Sequence, residues 1–404
     1  MSDSGNGFPG RLNDNRSPTV GLVLILGVLA FLVFLILEGY QIRSWREAIP
    51  LRVTVTGTRG KSSVVRMIAS ILRQAGWSVL AKTTGSEACY ILPDSRVGSI
   101  RRRGIPSIVE QKRLLKKARD LAVDCIVVEI MSLQPECHQV ESGWILQAHK
   151  TLLTNLRPDH AEQMGEHPEQ RARTLCLDFQ PGTDIYLHPG EFSGQIRTDL
   201  LQKKCRPVIC RAGLSHSLFP PENLPVHIIR SNLDLTVRFC HDLEIGNSAI
   251  TRGVKNTRQD IGALSVWRLS PPTIYLVNAF SANDPQSTHQ VFRRCYPRLA
   301  GKGRIIGLLN LRKDRPDRSR DWISFLTSPP RPWCDRLYVV GEHSRIFHRK
   351  IKYALPLRPG PPSRLLRQIE LDDKGSILFG FGNIKGTGLE MIRYFQKQGE
   401  HHVI

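Results

Sequence analysis

Hydrophobic positions along this chain fall into three regimes. An unbroken apolar run occupies Val20 to Leu37, short apolar segments alternating with amphipathic stretches continue through Leu187, and a second alternating series begins near Thr273. As a helix rising about 1.5 Å per residue, the first run spans about 27 Å, close to the hydrocarbon thickness of a bilayer. We read residues 20–37 as one transmembrane helix. A cleaved leader would show a small-x-small site before Glu38, and a buried core helix would not be apolar all round. Residues 1–19, rich in Ser, Asn, Gly and Pro, read as a disordered tail.

The second regime predicts a strand over Arg52–Thr56, a helix over Lys61–Ala75 and a strand over Trp77–Ala81. A polar loop then leads to a helix beginning near Ser107, with further strands over Asp124–Glu129, Thr151–Thr154 and Asp184–Leu187. The first helix is carried by Val64, Val65, Ile68, Ile71 and Leu72 at helical spacing. Continuous apolar strands separated by helices indicate a mostly parallel sheet covered on both faces. From Cys205 to Gly253 the pattern loosens, and short runs such as Leu235-Thr-Val237 read as the far edge of that sheet. A linker is expected between Gly246 and Asn256. Beyond it, strands over Thr273–Val277, Arg304–Leu309, Leu337–Val340 and Ser376–Phe379 and a closing helix over Leu389–Gln396 form a second α/β unit. The division expected is therefore 1–19, 20–37, 38–250 and 251–404.

Composition narrows this picture in two places. With 404 residues, 41% hydrophobic and 23% charged, the chain can bury more than one core, and nine scattered cysteines form no disulfide framework or paired CxxC zinc site. The formal net charge of +21 calls for an anionic partner or surface. Much of it lies in Arg96, Arg101, Arg102, Arg103, Lys112, Arg113, Lys116, Lys117 and Arg119, which otherwise reads as a solvated face. No recognition-helix, zinc-finger or RNP pattern accompanies the charge, so no specific nucleic acid is expected.

The candidate chemistry begins at Thr54-Val-Thr-Gly-Thr-Arg-Gly-Lys-Ser-Ser63, a strand, a glycine-bounded loop and a helix start. Backbone N–H groups of such a loop surround phosphate oxygens, Lys61 reaches the β/γ-phosphates and Ser62 can bind Mg²⁺. The P-loop pattern places a glycine where this chain has Val55, so the loop is shorter; the plain alternative is a glycine turn with a solvated lysine. Glu129 ends a strand, where a carboxylate faces the phosphate loop and can help hold Mg²⁺. Asp159 and His160 follow the next strand and would reach the same edge, unless Asn155 and Asp159 merely form an Asx-type turn. Loops 277–285, 309–318 and 380–388 occupy strand ends of the second unit.

Taken together, Thr56–Ser63, Ala81-Lys-Thr-Thr-Gly85, Arg101-Arg-Arg-Gly104, Val128-Glu129 with Leu133-Gln-Pro-Glu136, and Thr154-Asn155 with Asp159-His160 form an ordered series. Asn278-Ala-Phe280, Ala282-Asn-Asp-Pro285, Asp314-Arg-Pro-Asp-Arg318 and Gly382-Asn-Ile-Lys-Gly386 extend it. In this order they resemble the catalytic subunits of poly-γ-glutamate synthases, membrane-associated members of the Mur ligase superfamily, from about residue 38 to the C-terminus. The resemblance implies an N-terminal transmembrane helix, a P-loop Mur-ligase-like central domain with a mostly parallel sheet, and a smaller Rossmann-like α/β domain. It implies that Gly57, Thr58, Gly60, Lys61, Ser62 and Ser63 hold ATP phosphates and that Ser62, Thr84 and Glu129 surround one Mg²⁺, with His160 near a second. Asn256 would contact adenosine, and the loops of the second domain would close over the site. The activity implied is ATP-dependent ligation of glutamate through an acyl phosphate. Its partners would be the growing poly-γ-glutamate chain and integral-membrane capsule synthesis and export subunits, with the catalytic body on the cytoplasmic side of the cell membrane.

Two departures stand out. Where the family continues Asp-His-x-Asp, this chain has Glu162. In Arg171-Ala-Arg-Thr-Leu175, the counterpart of a segment that carries a carbamylated lysine in related ligases, Arg173 cannot form a carbamate because guanidinium stays protonated. We therefore expect Arg173 to supply positive charge directly to phosphate, or the second metal to be held differently.

Overall fold

The computed structural model describes residues 18–102, 104, 106–157, 164–165, 167–220, 222, 224–225, 227–313, 316–328 and 333–402. The expected tail, together with Arg103, Asp159, His160, Glu162 and Asp314, lies outside the described residues, apart from the tail's last two positions. Helix α1 (Pro18–Glu47) is longer than the apolar run that predicts it. Its part from Val20 has a mean hydropathy of 3.3 in its most apolar window and is long and apolar enough to cross a membrane. The extension past Leu37 is held by the body of the protein. Ile42 and Trp45 pack on a buried cluster that includes Leu114 and Leu115, and Glu38 accepts a 2.6 Å ion pair from Lys112.

The first sheet follows the expected alternation. Strand β1 (Leu51–Thr56) leads into α2 (Lys61–Gln74), and β2 (Val79–Thr83) into a hairpin of β3 (Cys89–Ile91) and β4 (Val97–Ser99). Helix α3 (Glu110–Asp120) precedes β5 (Cys125–Glu129), which is followed by α4 (Pro135–His138) and a π-helical segment, Gln139–Leu146. Then come β6 (Lys150–Leu153), α5 (Pro168–Cys176), β7 (Asp184–Leu187), α6 (Gly194–Gln202) and β8 (Arg206–Ile209). The strand order is β4-β3-β2-β5-β1-β6-β7-β8, parallel except for the β3–β4 hairpin. That hairpin lies in the segment read as a polar loop, because three-residue strands are too short to display a period of two.

Two expectations for residues 205–256 are corrected. Arg206–Ile209 is the far edge, but Leu235-Thr-Val237 lies inside helix α7 (Arg230–Asp242), where every residue from Asn232 to Val237 is buried. Burial on several sides erases the helical period that would have identified it. The expected linker is mostly helix α8 (Asn247–Lys255), packed against α2 so closely that a Cβ on Gly253 would lie 2.4 Å from Ile71 Cα. Ser70 Oγ donates to Gly253 O at 2.7 Å, fixing the same approach. We therefore propose the division between the two units within 256–264 rather than at 250.

The second sheet contains β9 (Ser265–Leu269), β10 (Ile274–Asn278), β11 (Arg304–Leu311), β12 (Arg336–Gly341), β13 (Ala354–Pro356), β14 (Ser376–Phe381) and β15 (Glu400–His402). Helices α9 (Pro285–Leu299), α10 (Pro316–Thr327), α11 (Ser344–Lys350), α12 (Pro362–Leu366) and α13 (Thr387–Gln398) connect them. The order is β13-β12-β11-β14-β10-β9-β15, parallel through β10 and closed by antiparallel β9 and β15. Buried apolar clusters cover both faces of each sheet. Central strands β1, β5 and β6 end side by side, with Val55 in register with Glu129 and Thr56 with Leu153. Side chains that follow these ends meet at the carboxyl edge, where parallel sheets place ligands.

Candidate active site

The loop between β1 and α2 is shaped by two glycines that no other residue could replace without displacement. Gly57 has φ +121°, and a Cβ there would lie 2.2 Å from Thr154 Oγ1; Gly60 has φ +84°, and its Cβ would meet Asn232 Nδ2 at 2.3 Å. Both conformations lie in the region that favours glycine. Asn155, just after β6, laces the loop. It accepts from Thr58 Oγ1 at 2.7 Å and donates from Nδ2 to Arg59 O at 2.8 Å, while Thr58 N–H donates to Asn155 O at 3.0 Å. Asn155 thus braces the glycine-bounded loop, a task the Asx-turn alternative did not contain. Lys61, the first residue of α2, folds its Nζ back on Gly57 O at 2.6 Å, and Ser62 and Ser63 follow it in the first turn of the helix.

Ser62 Oγ donates to Glu129 Oε2 at 2.7 Å, and the Thr84 N–H donates to the same oxygen at 2.7 Å. Glu129 is 5% exposed. The arrangement brings together three of the four expected metal-site residues, Thr84 entering through its backbone. A hydroxyl and a carboxylate are hard oxygen donors, a set that suits Mg²⁺ with water and phosphate oxygens completing its shell. The loop after Glu129 is held by Glu141, which accepts from Ser132 N at 2.9 Å and Ser132 Oγ at 2.5 Å and also from Gln111 Nε2.

The second sheet reaches this edge through Arg59, which pairs with Asp284 Oδ2 at 2.7 Å and donates to Asn283 Oδ1 at 3.2 Å. Asp284 also caps α9 by accepting from Ser287 N. Asn278 donates to Ile261 O and Ala263 O, fixing the connecting segment, and Asn310 and Asn383 exchange hydrogen bonds while Arg318 donates to Asn383 Oδ1 at 2.7 Å. Described residues of all three segments singled out in the second unit therefore take part in hydrogen bonds at strand ends.

Arg173 is not brought to the site. It is exposed and donates to Gln195 Oε1 on α6 at 3.1 Å. Leu175 lines a cavity beside Lys61, and two helical residues are about 200° apart, so Arg173 faces the other way. The buried arginine is Arg171, 2% exposed, whose guanidinium donates to Leu156 O at 3.0 Å and Gly165 O at 3.1 Å. Arg171→Ala should cost about 2–3 kcal/mol in denaturant unfolding, because two carbonyls lose a charged donor. Arg173→Ala should change stability by less than about 0.5 kcal/mol. A larger loss for Arg173→Ala than for Arg171→Ala would reverse this assignment.

Asn256 is exposed at the end of α8. Its neighbours Thr257, Gln259 and Asp260, with Ser63, Met67 and Asn232, line a small cavity beside α2 that Asn256 itself does not line. Sequence reasoning missed Asn232, since an asparagine within a loosely patterned segment carries no local signal. It also missed the pair His138 and Asp178, whose members lie 40 positions apart.

Residues 55–172 match the family described as Mur ligase middle domain, and residues 268–398 match the poly-gamma-glutamate synthase CapB C-terminal domain. The chain is 25% identical over 402 residues to the capsule biosynthesis protein CapB of Bacillus anthracis, covering 94% of this chain and 84% of that protein. It is 24% identical over 385 residues to the PGA synthase CapB of Bacillus subtilis (strain 168), covering 92% and 96%. A structure of the bifunctional folylpolyglutamate synthase/dihydrofolate synthase from Yersinia pestis, complexed with AMPPNP and Mn ion, superposes with a TM-score of 0.66 at 15% identity, covering 89% of this chain and 92% of that one. Over most of its length, then, the chain is a homologue of the CapB proteins, built on the Mur-ligase α/β fold.

Proposed function

We propose that the chain is an ATP-dependent amide ligase that polymerises glutamate into poly-γ-glutamate, releasing ADP and phosphate. The observation that carries this reading is the Ser62–Glu129 pair under a glycine-bounded loop with Lys61, in a chain whose C-terminal part matches the CapB domain. A γ-carboxylate oxygen of glutamate attacks the γ-phosphorus of ATP, and the bond from that phosphorus to the bridging oxygen of ADP breaks. The amine of a second glutamate then attacks the acyl carbon, losing a proton as phosphate departs with the C–O bond. Lys61 and the loop N–H groups hold the triphosphate in line, and Ser62 and Glu129 hold Mg²⁺, which when bound supplies positive charge against the transferred group. Arg59, paired with Asp284, ties the second unit to the loop.

In this reading adenosine lies over the surface beside α2 that Asn232, Thr257 and Gln259 border, next to Asn256 at the end of α8. Helix α1 anchors the chain in the cell membrane with the catalytic body in the cytoplasm, where ATP is. Exposed Arg113, Lys116 and Arg119 on α3, packed against the end of α1, would face anionic headgroups or the polyanionic product. Integral-membrane capsule subunits are the partners this implies.

The test uses membranes carrying the protein with its export partners, following ADP release and labelled glutamate in acid-precipitable polymer. Glutamate-dependent release with polymer formation is expected. ADP release indifferent to glutamate would assign the ligase another acid acceptor.

A further inference from the structure

Behind the phosphate loop lies a cavity of about 60 Å³, lined by Gly57, Thr58, Lys61, Ser132, His138 and Leu175 among others. That volume is roughly four times what one water requires. His138, the last residue of α4, is 1% exposed, and its Nε2 has no hydrogen-bond partner although it is buried. Its other nitrogen is held: Nδ1 lies 2.9 Å from Oδ1 of Asp178, which is fully buried. Asp178 is fixed in turn by Ser142 Oγ at 2.7 Å and by Thr56 Oγ1, from the end of β1, at 2.5 Å. A buried imidazole with one nitrogen clamped to a carboxylate and the other unsatisfied is expensive unless something meets it. Water can meet it while the cavity is otherwise empty, and the cavity residues it shares with the loop, Gly57, Thr58 and Lys61, make an anion bound on that loop a partner within its reach.

We propose that His138, oriented by Asp178, donates from Nε2 to a γ-phosphoryl oxygen of the bound nucleoside triphosphate and so senses the group to be transferred. This rests on the ATP reading above and adds a contact that neither the phosphate loop nor the metal pair provides. The charged groups facing His138 are Asp178 after α5, Glu141 on the π-helical segment and Lys61 on α2. Burial opposes charge on the ring, but the Asp178 carboxylate, by its charge and hydrogen bond, and Glu141 outweigh it. The imidazole is therefore held above its ordinary pKa against the opposition of Lys61. While protonated, it donates from both nitrogens. Once neutral, with Nδ1–H committed to Asp178, it turns a lone pair toward the phosphoryl oxygens, so the contact is lost as pH rises through the raised pKa.

The experiment measures Kd for AMPPNP and for ADP, each with Mg²⁺, across pH 6 to 9 in the full-length detergent-solubilised protein and in His138→Gln. The wild type should prefer AMPPNP by a ratio that falls as pH rises. His138→Gln should weaken AMPPNP by about 10- to 100-fold at low pH, the worth of a charge-assisted hydrogen bond, leave ADP within about twofold, and show a flat ratio. Asp178→Asn should likewise flatten the wild-type profile. Equal loss of both nucleotides in His138→Gln would assign the residue a structural role only and overturn the proposal. A wild-type ratio that does not change with pH overturns it even if both variants fail to fold. Failure of the wild type to bind either nucleotide would instead retire the ATP reading itself.

Discussion

Lys61→Ala should lower glutamate-dependent ADP release by about 10²- to 10³-fold and reduce polymer in proportion, while the variant melts close to the wild type. The kinetic loss is large because a loop lysine acts on charge that spreads over the phosphoryl oxygens during transfer, and one preorganised contact of that kind is worth about 10²- to 10³-fold. The stability loss is small because the loop does not depend on Lys61 for its shape. Its conformation is set by Gly57 and Gly60 and by the Asn155 hydrogen bonds to Thr58 and Arg59, none of which the substitution removes. The single bond from Lys61 Nζ to Gly57 O leaves a carbonyl that ligand or water can satisfy. Retention of more than a tenth of wild-type turnover would show that the lysine is a solvated residue after all.

Glu129→Gln should lower kcat by about 10²- to 10³-fold and raise the Mg²⁺ concentration for half-maximal rate at least about tenfold. Glutamine is nearly isosteric, and its amide oxygen still accepts from Ser62 Oγ and Thr84 N–H, so the edge geometry survives. What disappears is the negative charge offered to a divalent cation. A Mg²⁺ titration combined with initial rates separates the two effects: an unchanged half-saturation with reduced kcat would make Glu129 a brace for the loop and place the cation elsewhere.

How much of this was readable beforehand depends on whether neighbours in sequence or neighbours in space create the feature. The strand, glycine loop and helix from Leu51 to Gln74 were legible because each signal is local: continuous apolar residues, backbone positions that need glycine, and an amphipathic period. Four strands of the second unit were legible for the same reason. Helix α7 was not, since its burial on several sides leaves Leu235 and Val237 looking like part of a strand. The fate of the two arginines was equally hidden, for which of Arg171 and Arg173 faces the sheet depends on the phase in which α5 docks.

The sequence by itself determined the apolar first helix, the alternation that makes two mostly parallel sheets, and the glycine-bounded loop between strand and helix with its lysine and serine. These follow from periodicity and from conformations that single residue types impose. Only the tertiary structure decided that Asn155 and Asn232 shape that loop, that Arg59 joins it to Asp284, and that His138, with an unsatisfied nitrogen, lines a cavity beside it. Those residues lie from about 80 to more than 200 positions from the loop along the chain, and chain packing alone sets which polar groups meet where water is excluded.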